Sequence, residues 1–175
     1  MKRETVFSPC RKWRYTLWRD FETEFLFEGG NRMENGFAQF IGLNPSTADE
    51  NQDDPTLRRC IQFAKDWGFG ALCMTNAFAW RDTLPSNMKK ARDPIGCDNT
   101  NQIRAIAEHA GIIIAAWGRD GDFGGRQAQV LDALRPWKAK LHHLGLNGDG
   151  TPKHPLYLRG DTKPTPWAEA AVSSL

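Results

Sequence analysis

Asn44, Asn76 and His154 are the residues of this chain best suited, by type and by neighbours, to do chemistry. Each stands in a short polar cluster: GLNPSTAD at 42–49, TNAFAWR at 75–81 and HPLYLRG at 154–160. An amide both donates and accepts hydrogen bonds, so Asn44 is suited to positioning a water and Asn76 to reading the edge of a heterocyclic base. An imidazole such as His154 can donate to an oxygen on which negative charge builds. An amide cannot take up a proton as a carboxylate can, so the candidate general bases are Asp49, Asp53 and Asp54. Asp54 stands before Pro55 at a helix start, where it is suited to capping, and that leaves Asp53 as the freer carboxylate. Trp80, next to Arg81 and Asp82, is suited to stacking on a flat ligand, whereas Phe78 reads as core. Taken singly, each cluster also has an ordinary structural reading: a turn, a tied-off strand end, a surface histidine.

Position raises these clusters above the ordinary. The apolar runs FAQFIGL, ALCMTN and IIIAAW, and the shorter KLHHL at 140–144, read as four strands. Between them lie helical patterns: 54–67, with Leu57, Ile61, Ala64 and Trp67 at helical spacing; a helix from Asp98 or Asn99 with Ile103, Ile106, Ala107 and Ala110 on one face; and QAQVLDAL, stopped by Pro136. Alternating strands and helices predict a three-layer α/β/α sandwich around a central parallel four-stranded sheet. Residues 13–27 predict an antiparallel hairpin whose Trp13, Trp18 and Phe25 cover one end of the core. The stretch 81–96 reads as a long polar loop, 118–126 as a glycine-rich turn, and a short helix is expected at 167–172. Every polar cluster, AWGRDG and GLNGDGTPKHPLYL included, follows a strand. In parallel sheets ligands bind at that edge, so the clusters are expected to converge on one pocket.

Composition narrows the classes. The chain has 175 residues, 40% hydrophobic and 25% charged, and reads as a single globular domain spanning 1–175. A formal charge of +2 permits a nucleic-acid partner without arguing for one. Cys10, Cys60, Cys73 and Cys97 form no C-x-x-C pair and have no histidine at a metal-site interval, so no metal and no cofactor are expected. Cys60 and Cys73 lie in apolar runs and read as buried free thiols. The N-terminal MKRETVFSPCRKWRY lacks an apolar core and no run is long enough for a membrane span, so a cytoplasmic monomer is expected.

The motifs also carry a family resemblance, over roughly residues 36–160. GLNPS at 42–46 is similar to the first motif of the uracil-DNA glycosylase superfamily, whose mismatch-specific branch has an Asn at the position of Asn44. The TN of LCMTNAF matches the place where the superfamily keeps an Asn to read the pyrimidine edge, and HPLYLRG resembles its closing motif, which enters the duplex. The set NPSTAD, DDPTLRRC, WGFG, TNAFAWR, AAWG and HPLYL resembles bacterial and phage proteins grouped as domain of unknown function 1643. The sequence departs from the superfamily in having no Asp or aromatic residue in the GLNPS turn and no four-cysteine iron–sulfur pattern.

The resemblance implies a uracil-DNA glycosylase-like fold and a hydrolase that flips a damaged or modified base out of DNA and cleaves its N-glycosidic bond. The candidate catalytic residues are then Asn44 and His154, which stand in the resembling motifs, and Asp53, which rests on the residue chemistry above. Gly42, Leu43, Pro45, Ser46, Asn76 and Trp80 would bind the base. Arg58, Arg59, Arg81, Lys153 and Arg159 would contact phosphates, and Leu156, Tyr157 or Leu158 would fill the vacated stack. Small Ser46 leaves room for a larger 5-substituent on a pyrimidine, which would suit defence against phages with modified DNA. Two other functions fit the same residues: a nucleoside or nucleotide N-ribosyl hydrolase or transferase, and a non-catalytic binder of modified bases or single strands.

Overall fold

The apolar runs form the strands of a mixed α/β structure. The computed structural model describes residues 1–21, 36–46 and 48–167. Among these residues one sheet contains seven strands: β1 (Lys2–Phe7), β2 (Arg14–Asp20), β3 (Phe37–Gly42), β4 (Ala71–Asn76), β5 (Ile112–Ala115), β6 (Leu141–His143) and β7 (Thr165–Pro166). Their spatial order is β1-β2-β4-β3-β5-β6-β7. The inner strands β4, β3, β5 and β6 pair in parallel, whereas β1 and β2 on one side and β7 on the other join antiparallel. The four strands expected to be parallel are these inner four, and the sheet is extended by three antiparallel strands to seven.

The parallel strands are apolar because both of their faces are covered. Helix α1 (Pro55–Asp66) packs Leu57, Cys60, Phe63 and Ala64 on one face, against Ala38, Phe40, Leu72 and Ile114. On the other face α3 (Asn99–His109) packs Ile103 and Ala107, and α4 (Arg126–Ala133) with its C-cap Leu134 packs Val130 and Leu134, against Phe37, Ile41, Cys73 and Ile113. Burying a side chain such as Phe63 or Leu57 contributes about 1.5–3 kcal/mol, so each layer is held mainly by its apolar stripe. Buried Gln39 joins the layers: its Nε2 donates to Thr75 Oγ1 at 3.2 Å and to the Ile103 carbonyl at 3.1 Å.

Helix α1 starts as its sequence dictates. Asp54 Oδ1 accepts from the Leu57 N–H at 2.7 Å, and Pro55 occupies the first turn. Gly68, at φ 85°, follows its end.

Three expectations are corrected. The N-terminal hairpin pairs Lys2–Phe7 with Arg14–Asp20, because the charged and alternately exposed β1 serves as an edge strand; the partner expected within 22–27, Phe25 included, lies outside the described residues. The stretch 81–96 contains a six-residue helix, α2 (Pro85–Lys90), opened by a proline at a position where no amide hydrogen is needed. The glycine-rich turn is largely a 3₁₀ segment, Arg119–Gly125. The helix expected at 167–172 lies, beyond Trp167, outside the described residues.

Candidate functional site

The sheet dictates where a ligand can sit. From β3 the chain crosses to β4 on one side, and from β5 it continues to β6 on the other, so strand order reverses between β3 and β5. At the carboxyl ends of these strands lies a cavity of about 850 Å³. It is walled by the segments following β3, β5 and β6, by the end of β4 and by the start of α1. Asn44, Asn76 and His154, distant in sequence, all line it.

Asn76 is the most constrained of the three. It closes β4, is buried, and its side-chain Nδ2 has no hydrogen-bond partner among the described residues. Its backbone is gripped from the opposite layer. Asn99 Nδ2 donates to the carbonyls of Asn76 at 2.9 Å and Ala77 at 3.1 Å. Arg126 Nε donates to the Ala77 carbonyl at 2.7 Å, while its other nitrogens hold Thr100 Oγ1 and Gln129 Oε1. Across the strand, the Cα of Gly42 presses on the same amide: a Cβ there would lie 2.8 Å from Asn76 Oδ1 and 3.0 Å from the Met74 methyl. Glycine at 42 is thus a requirement of Asn76. An unpaired buried donor on a cavity wall costs stability unless a ligand brings an acceptor.

Asn44 lines the cavity but also fastens it. Its Nδ2 donates to the Asp82 carbonyl at 2.8 Å and approaches the carbonyls of Pro45 and Trp80, tying the turn after β3 to the segment after β4. Oδ1 is then the atom of this amide left for a water. His154 caps a short 3₁₀ turn, Pro155–Tyr157, its Nδ1 accepting from the Leu156 N–H at 3.3 Å. That bond leaves the ring proton on Nε2. Burial pushes the imidazole below its ordinary value, against the opposing pull of Asp54, so the ring is a neutral donor at pH 7. Tyr157, next in the turn, is 86% exposed at the cavity rim. Leu158 packs into the core beneath α1, its carbonyl held by Arg59, and Leu156 is half-buried. Of the three candidates for a wedge, Tyr157 is the one free to enter anything.

Among the other base-binding candidates, Gly42, Leu43 and Ser46 line the cavity, whereas Pro45 is buried beside it. Asp53 is corrected. Its carboxylate is clasped by Arg19 Nε at 2.8 Å and by both terminal nitrogens of Arg3 at 3.0 and 3.2 Å, away from the cavity. Asp54, set aside as a cap, is the one of the pair that lines the cavity, and the Leu57 N–H engages just one of its oxygens. Asp49 is held low by the amides of Asn51 and Gln52 and does not reach the cavity. Trp80 is also corrected: it does not line this cavity but packs edge-on to Trp13, with centroids 5.4 Å apart, and lines a separate shallow depression with Arg81 and Asp82. The tryptophan at the cavity is Trp117, buried over Gly121 with its indole N–H on Gln127 Oε1. Phe78 is core, as expected.

Of the residues expected to contact phosphates, Lys153 lines the cavity and the four arginines do not. Arg58 donates to the Asp53 carbonyl, Arg81 sits over the Phe7 ring, and Arg159 pairs with Asp161 in the open. The structure adds Arg14, Arg119, Asp82 and Asp120, which sequence reasoning missed. Asp82 Oδ1 accepts from the Leu84 N–H and Asn87, and Asp120 Oδ1 pairs with Lys89 at 2.6 Å, so each has one engaged oxygen, as Asp54 does; Asp54 is the carboxylate whose charge acts on His154. The AWGRDG motif after β5 was the available signal for Trp117, Arg119 and Asp120; nothing in the sequence singles out Asn99, Arg126 or Arg14.

Among the described residues no group of three or more His, Cys, Asp or Glu side chains gathers as a metal site would require. Cys60 and Cys73 are buried free thiols, and burial pushes both up. No described helix is long and apolar enough to cross a membrane.

A family model described as "Protein of unknown function (DUF1643)" matches residues 14–156, a span that contains every cavity residue considered above except Tyr157 and Leu158. No curated protein and no solved structure gave a match.

Proposed function

The chain belongs to the DUF1643 family, and we propose that it is a DNA glycosylase, a hydrolase that takes a damaged or modified base into this cavity and cleaves its N-glycosidic bond. One observation carries the reading: Asn44, Asn76 and His154, the residues of the three glycosylase-like motifs, line a single cavity in which the Asn76 amide holds an unused donor. Parallel inner strands with helices on both faces support the finer assignment to a three-layer fold of the uracil-DNA glycosylase kind.

In this reading Asn76 donates to an acceptor on the flipped base. Water held by Asn44 Oδ1 and Asp54 adds at the sugar C1′ and gives its proton to Asp54. The C1′–N bond breaks with its electron pair leaving on the base, and the Nε2 proton of His154 meets the oxygen that gains charge. A neutral imidazole suits that role, because it donates without first repelling the cationic sugar. Tyr157 fills the space in the duplex, and Lys153 and Arg119 at the rim meet phosphates. The exposed Tyr157 favours DNA over a free nucleoside, which has no gap to fill.

The test is a mass-spectrometric screen for bases released from damaged and phage-modified DNA. Release by the wild-type chain, lost on Asn76→Ala and slowed on His154→Ala, is the expected result. No release from any substrate removes the proposal. Release from mononucleosides but not oligonucleotides transfers it to an N-ribosyl hydrolase.

A further inference from the structure

The guanidinium of Arg14 has no role in the reaction above, yet it is the buried charge of the cavity wall. Arg14 is 3% exposed; it donates through Nη1 to the Ala48 carbonyl, and its Nε has no partner among the described residues. No carboxylate among the described residues forms a salt bridge with it. Asp54 and Asp49 act on it only at longer range, while Arg81 and Arg19 add positive charge to the same region. Burial brings its value down to about 10, which still leaves it charged at neutral pH.

Its direction is set by a local irregularity. Opposite β1, Val6 faces Thr16 but Phe7 faces Arg14, so Tyr15 is an extra residue and the register slips. Strict alternation would put Arg14 on the face of Trp18, which packs with the α3 layer. Instead it reaches Ala48 on the α1 side and lines the cavity. Bulges of this kind re-aim side chains and are over-represented beside active sites. The bond to Ala48 engages one nitrogen and explains neither the burial of the remaining charge nor the unpaired Nε.

Two buried donors on one wall, Arg14 Nε and Asn76 Nδ2, one of them on a full positive charge, call for a ligand that brings both an acceptor and negative charge. We propose that Arg14 is the anion-recognition residue of this cavity, which takes ligands that place a negatively charged atom against the guanidinium. Which anion that is rests on the glycosylase reading: either the base as it leaves with the bonding electron pair, or a phosphate beside the flipped nucleotide.

Calorimetric titration of the full chain, and of Arg14→Gln and Arg14→Lys, with two pairs of probes decides between these. The first pair is uracil against 5-nitrouracil, which is anionic at neutral pH. The second is 2′-deoxyuridine against its 5′-monophosphate. The charged member of one pair is expected to bind at least tenfold more tightly than the neutral one. That preference should vanish in Arg14→Gln and survive in part in Arg14→Lys, with melting curves showing both variants folded. A preference within the first pair assigns the leaving base, and one within the second assigns the phosphate. No preference in either pair, including no binding at all, or a wild-type preference in Arg14→Gln, overturns the proposal. The glycosylase reading is judged separately by base release: an intact anion preference in a protein that frees no base would remove the reaction and keep the site.

Discussion

Replacing Asn76 by leucine should make the protein more stable while destroying ligand recognition. The Nδ2 of Asn76 is buried without a partner among the described residues, and leaving a donor in that state costs roughly 1–3 kcal/mol. Leucine has nearly the shape of asparagine and no donor, so it removes that cost and adds apolar contact beside Met74. Part of the gain is offset where the branch meets Gly42, because Oδ1 already lies 2.8 Å from the position a Cβ on Gly42 would take. The net expectation is a gain of about 1 kcal/mol, on the order of 2–4 °C in melting temperature for a chain of this size. Calorimetry, with urea unfolding as a check, measures it; base release or probe binding, run alongside, should be lost. A leucine variant that melts several degrees lower would refute the reasoning. The amide would then be bonded in the free protein, a structural tie in place of a waiting reader.

Asp53→Asn should destabilise the fold by roughly 3–5 kcal/mol, since Arg19 is fully buried and would lose its partner charge; activity per folded molecule, by active-site titration, should stay at the wild-type level, whereas a general base would lose it. Asp54→Asn should do the reverse, costing at most about 1 kcal/mol as a cap while lowering the cleavage rate at least tenfold. His154 and His143 are both held below their ordinary value by burial. The unfolded chain therefore binds more protons below about pH 6.5. Melting temperature should be flat above that pH and fall as pH drops through it toward the folded values, and His154→Gln should flatten part of the slope. Tyr157→Ala removes a side chain that is 86% exposed, so stability should change by less than about 0.5 kcal/mol; base release from duplex should fall more than release from single strands.

The inner sheet was legible because each parallel strand is an unbroken apolar run closed by a turn signal, and α1 because Asp54, Pro55 and Gly68 mark its ends. The convergence of Asn44, Asn76 and His154 followed from strand polarity alone. What failed has physical causes. β1 reads as a charged segment, since an edge strand needs no continuous apolar face. The choice of Asp53 over Asp54 assumed that capping removes a carboxylate from chemistry, but a cap occupies one oxygen, while the ion pairs of Asp53 occupy both. Trp80 and Trp117 are indistinguishable by composition; which one meets the cavity depends on the turn at Gly118 and on Gly121, which leaves room for the Trp117 indole. Arg14 was invisible because its direction depends on a bulge that no residue of the hairpin announces.

Asn99 and Arg126 belong to α3 and α4, on the far side of the sheet from α1, yet they hold the carbonyls that aim Asn76. The amide that closes β4 is thereby held independently of the surface segments around the cavity mouth. Those segments can change in length and composition over evolutionary time without displacing it. On the proposed reading, a change in the base accepted would fall to exposed rim positions such as Lys153 and Tyr157, while the pair of clamps behind the sheet stays fixed.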